Sequence, residues 1–213
     1  MRKSNLLGLL ASLTLLTSCN LNVVGQDNSK LLSALTPTYT GGIPNPWSLY
    51  DDSLKTGDWL RGLDFFSGGT YTGTPVIDFS NTTSPDHGTK CWRTAIGAQS
   101  GGWFAGIILL QGTGFADSAS RPGVDISAGA FTKCVFRART LQGIRQVQFK
   151  AFDNNANSIT VNVDSTWATY TIPLTNSSAI TNMKQFFTIV FANAAPATAT
   201  PIDLFIDDLR FEQ

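Results

Sequence analysis

Short runs in which apolar and polar residues alternate, each closed by a cluster of turn residues, restrict this chain to a strand-built fold. In "CVFRART" Cys134, Phe136 and Ala138 fall on one side and Arg137 and Arg139 on the other. "VQFKAF" sets Val147, Phe149 and Ala151 against Gln148 and Lys150, and "ITVNV" sets Ile159, Val161 and Val163 against Thr160 and Asn162. Strands of this kind pack one face on a core and give the other to water. "WFAGIILL" is apolar on both faces, as a strand covered on both sides would be. No segment holds a helical period. The pattern predicts strands over 47–54, 58–65, 75–79, 89–96, 103–110, 131–140, 146–152, 159–163, 167–174, 186–192 and 202–211. The breakers between them include "SGGTYTGTP", "NTTSPDHG", "GAQSGG" and "NAAPATATP". Many short strands with such loops imply an all-β domain, a two-sheet antiparallel β-sandwich over 47–213.

The segment before that domain reads differently. Arg2 and Lys3 precede the apolar run "LLGLLASLTLL", the layout of a secretory signal, and the run is shorter than the ~20 residues of a spanning helix. The junction "LTSC" resembles the lipobox of bacterial lipoproteins. That resemblance implies a signal peptide over 1–18, a lipidated Cys19, and a protein held by its acyl chains on a membrane, the outer membrane or cell surface of a bacterium. The alternative is an ordinary secretory signal with a chance cysteine. Residues 20–46, rich in Asn, Ser, Thr, Gly and Pro, read as a flexible tether.

Loss of the signal takes Arg2 and Lys3 from the 15 basic residues, leaving 13 against 15 acidic ones. There is no basic patch for nucleic acid. Export leaves Cys91 and Cys134 two options, a disulfide or two buried thiols. Two cysteines and the lone His87 make no zinc signature.

The end of the chain, "IDLFIDDLRFE", places Asp207 and Asp208 side by side in an apolar strand. Unbroken alternation puts Asp207 on the same side as Phe205, Leu209 and Phe211, toward the core, where a carboxylate needs a partner.

The order of "WSLYDD", "GGWFAGIIL", the "VFRART…VQFKAF" pair, "STWATYTIPL" and "LFIDDLRFE" resembles the jelly-roll carbohydrate-binding modules of the galactose-binding-like superfamily. The likeness covers about 47–213. It implies a jelly roll with adjacent first and last strands, and a polysaccharide or glycan as partner. In many such modules a structural calcium joins those strands. The matching positions here are Asp51 or Asp52 and Asp207 or Asp208, whose paired carboxylates suit an ion that takes six to eight oxygens. The alternative is that one aspartate of each pair is exposed while the other caps loop amides or pairs with an arginine.

Sugar recognition asks for flat aromatic surfaces and fixed polar groups. Trp92, Trp103 and Tyr71 are the candidate platforms. Arg137, Arg139, Gln148, Lys150, Thr160 and Asn162 are expected to line one sheet face, and Trp167 to pack in the core. Catalysis finds little material. Glu212 is the sole glutamate, short of the paired carboxylates of a glycosidase, and His87 with four tyrosines is a thin supply of lyase bases. No G-x-S-x-G elbow occurs. The expected function is noncatalytic glycan binding at the cell surface, with an envelope protein-interaction role as the alternative, since fold alone does not decide function.

Overall fold

A computed structural model describes residues 43–55, 62–67, 70–71, 75–97, 99–100, 104–110, 125–151, 155–175, 180–181, 183–192 and 202–213. The chain divides into two units, 1–34 and 35–213, and all described residues belong to the second. Cys19 and most of the tether lie outside the described residues.

Alternation produces strands where the sequence predicts them. In chain order they are β1 (Trp47–Asp51), β2 (Ser53–Leu54), β3 (Gly62–Ser67), β4 (Thr70–Tyr71), β5 (Val76–Asn81), β6 (Cys91–Ile96) and β7 (Gln99–Ser100). There follow β8 (Phe104–Leu110), β9 (Lys133–Thr140), β10 (Arg145–Lys150), β11 (Ser158–Val163), β12 (Ala168–Pro173), β13 (Gln185–Ala192) and β14 (Ile202–Glu212). Of the predicted strand over 58–65, residues 58–61 lie outside the described residues and 62–65 fall in β3.

Among the described residues, seven strands form sheet A, five form sheet B, and β4 and β7 make a separate ribbon. Sheet B runs β11-β10-β13-β8-β3, antiparallel throughout. In sheet A, β14 is central: β9 lines one edge, while β6 takes the other along Ile202–Ile206 and β1 takes it at Leu209 and Phe211. First and last strands are therefore neighbours, as the resemblance implies.

The core fills the space between the sheets. Phe136 of sheet A meets Phe149 and Phe187 of sheet B at ring separations of 4.6 and 5.0 Å. At one end Trp47 sits 5.8 Å from both Phe186 and Phe211. Offset and edge-on contacts of this kind add about 0.5–1.5 kcal/mol each beyond area burial.

One irregularity corrects the expectation for the last strand. A β-bulge lies between Asp207 and Arg210, with Asp208 in the left-handed region at φ 49°. The extra residue resets the alternation. Leu204, Ile206, Leu209 and Phe211 all join the core, whereas Phe205 and Asp207 lie on the outer face of sheet A beside Arg139 and Arg137. Unbroken alternation from 205 to 211 had put Phe205 and Asp207 inside. Asp207 is nevertheless 0% exposed, because something covers that face.

Candidate functional site

The cover is the segment 81–90, in which the sequence marks 81–88 as a loop and 89–90 as the start of a strand. It is bound down by side chains of sheet A and of the turn after β1. Asp207 accepts hydrogen bonds from the amides of Asp86 and His87, both at 3.0 Å, and from that of Asp208 at 2.9 Å. Asp52, just past β1, accepts those of Thr89 and Lys90 at 2.6 and 2.7 Å. Arg137 pairs with Asp86 at 2.8 Å, and Arg139 and the indole of Trp167 donate to the carbonyls of Thr83 and Ser84 at 2.9 and 3.1 Å. Gly88 is required there: its φ is +58°, and a Cβ would stand 2.3 Å from the Asp52 oxygens.

The two carboxylates titrate in opposite senses. Burial raises the pKa of Asp207, against the lowering effect of its amide bonds. The amides of Lys90 and Thr89 lower that of Asp52 below the ordinary 3.8. A depressed carboxylate contributes stability that is present above the unfolded value and lost as pH falls through the folded one. Asp207, raised, has the opposite sign. The stability difference between wild type and Asp52→Asn should therefore hold from neutral pH down to the ordinary carboxylate value and shrink below it. Thermal melts of both proteins across the acid range check this; a difference that grew on acidification would contradict it.

The predicted binding residues do not form one surface. Arg137 and Arg139 belong to β9 in sheet A, whereas Gln148, Lys150, Thr160 and Asn162 belong to β10 and β11 in sheet B. Their outward faces lie on opposite sides of the sandwich. Arg139, expected in solvent, is 8% exposed, its guanidinium lying 5.2 Å from the Trp167 ring and 4.7 Å from that of Phe205. Trp167, expected in the core, is half-buried on this outer face. Trp92 is a further correction. It is 0% exposed, packed against Phe79 at 5.0 Å, and offers no ring face to a ligand. Trp103 lies outside the described residues, and of Tyr71 only the backbone, in β4, is described.

Sheet B carries a polar surface along its β10–β11 edge, and toward the middle of the sheet Thr188 and Val190 are buried. Gln146 pairs with Asn162, Gln148 with Thr160 and Lys150 with Ser158, all turned away from the buried Val147 and Phe149. The rows continue across the sheet: Gln148 to Val190 to Gly106 to Phe66, and Lys150 to Thr188 to Ile108 to Asp64. Amides and hydroxyls both donate and accept, which is what a polyhydroxylated ligand requires. Along each strand these side chains recur about every 6.8 Å.

Cys91 and Cys134 are separate buried thiols. Cys91 lies under the 81–90 segment, 3.6 Å from the Asn81 carbonyl, and burial pushes its pKa up to about 11.

The calcium expectation meets an unsuitable donor set. Both Asp207 oxygens accept N–H groups, as does Oδ1 of Asp52. Asp208 Oδ2 is held by Arg210, and Asp51 points outward, 3.9 Å from Lys55. Among the described residues no three acidic, histidine or cysteine side chains gather as metal ligands. These four aspartates do not fit the ion.

No family model matches the chain, and no curated protein matches it. The chain is similar to solved structures that include carbohydrate-binding modules and carbohydrate-degrading enzymes. One is a family 11 module from Clostridium thermocellum in complex with a beta-1,3-1,4-mixed-linked tetrasaccharide, at 13% identity, 70% of this chain, 88% of that chain and TM-score 0.45. Another is a family 30 module at 16% identity, 78% of this chain, 97% of that chain and TM-score 0.45. An exo-beta-agarase aligns at 11% identity, 78% of this chain, 24% of its own length and TM-score 0.49.

The segment 81–90 is what sequence reasoning missed. Asp86 was not singled out, because "NTTSPDHG" has no period and nothing in it signals that carboxylates elsewhere will bind its amides.

Proposed function

We propose that this domain binds carbohydrate without cleaving it, through the outer face of sheet B, as a lipoprotein tethered at Cys19 to the bacterial surface. The carrying observation is the registered ladder Gln146/Asn162, Gln148/Thr160 and Lys150/Ser158. It sets amide and hydroxyl donors and acceptors, with the Lys150 ammonium at one end, at regular spacing on a sheet, so little ordering entropy is spent on binding. The absence of catalysis is supported by Glu212, which is tied to Arg210 and Lys133. His87 sits between Asp86 and Asp208 in the segment that covers sheet A, away from the ladder.

The double variant Gln148→Ala/Asn162→Ala tests the assignment. Two lost hydrogen bonds at about 1 kcal/mol each should weaken glycan affinity roughly tenfold or more, with an unchanged melting temperature. Arg137→Ala, on the other sheet, should bind as wild type does. Wild-type affinity in the double variant across a polysaccharide screen would reject the sheet B site.

A second reading, a protein partner, draws on the β9–β10 turn. Leu141 and Ile144 there are 48% and 66% exposed, on a tip held by Gln142, whose amide bonds both the carboxylate and the backbone N–H of Asp203. Capture of an envelope protein that Ile144→Asp abolishes and soluble glycan does not compete would favour it.

A further inference from the structure

We infer that the junction between the first and last strands of this sandwich is closed by a protein clasp in place of a metal ion. The fold resemblance implies calcium at that junction, yet the aspartates at the matching positions do other work. Asp52 follows β1 and Asp207 lies in β14, and both bind the one segment that leads into β6. Between them they accept five backbone N–H groups, from Asp86, His87, Asp208, Thr89 and Lys90.

Calcium takes six to eight oxygens at about 2.3–2.6 Å, and each N–H aimed at a carboxylate oxygen occupies one of its lone pairs. Here the positive ends of five amide dipoles already point at those oxygens. Arg137 and Arg210 add full positive charges through Asp86 and Asp208. Each carboxylate neutralises donors that would otherwise be left without acceptors at the strand ends, and the segment in turn shields Asp207 from water. The clasp thus joins β1, β6 and β14 with groups the chain itself supplies.

Melting of the full-length protein in EDTA and in excess calcium tests this, together with calorimetric titration of calcium. A metal bound at the junction and supplied far above its Kd would raise Tm by roughly 5–10 °C for a domain of this size. The clasp predicts coincident Tm values and no heat assignable to the junction. A calcium-dependent rise that Asp52→Asn and Asp207→Asn both remove would overturn the inference. A rise that survives in both variants would place calcium elsewhere and leave the clasp metal-free.

Discussion

Trp92→Ala should destabilise the domain by about 3–5 kcal/mol, the usual cost of deleting a buried large aromatic. For a domain of this length that is a fall in Tm of roughly 6–20 °C. The indole touches Phe79 on β5 and, at 6.3 Å, Phe187 on sheet B, so its loss opens a hole between the sheets. Below the new Tm, glycan affinity per folded molecule should equal that of wild type, because no part of Trp92 reaches solvent. Calorimetric melting paired with titration of a bound polysaccharide separates the effects. A variant that kept its Tm and lost affinity would return Trp92 to the role of sugar platform.

Asp207→Ala is the second large effect. It strips the acceptor from the amides of Asp86, His87 and Asp208 at once. At 1–3 kcal/mol for each buried group left unsatisfied, offset where the segment lifts to reach water, the net loss is about 3 kcal/mol. Hydrogen exchange should rise first at 83–90, and Cys91, lying beneath, should become reactive to thiol reagents. Asp208→Asn, which keeps a side chain tolerant of the left-handed φ, weakens only the partly exposed pairing with Arg210 and should cost under about 1 kcal/mol. Equal losses in the two variants would mean that Asp207 does not hold the segment.

The architecture was legible because a period of two is a strong signal wherever one face of a strand is buried. Cys134, Phe136, Ala138, Val147 and Phe149 all lie in the core, as alternation assigns them. The pattern does not say which sheet a strand joins. β9 and β10 are consecutive, yet their connection crosses from sheet A to sheet B, and this separated Arg137 and Arg139 from Gln148 and Lys150. Nor can it register a bulge, and a single extra residue near Asp208 reversed the facing of Phe205 and Asp207. The placement of Trp92 failed for a related reason: "TKCWRTAI" is flanked by turn residues, but both of its faces are covered, one by the core and one by the 81–90 segment. Amide capping, one of the two roles open to the aspartates, is seen at Asp52 and Asp207.

The position of β14 has a consequence for how the protein is made. Its pairing with β9, β6 and β1 means that sheet A has no middle until residues 202–212 have been synthesised, and that Trp47 waits for Phe211 across most of the domain. Closing such distant pairs is slow. A chain built this way stays open until residues 202–212 are available, and β14 is the strand that locks it.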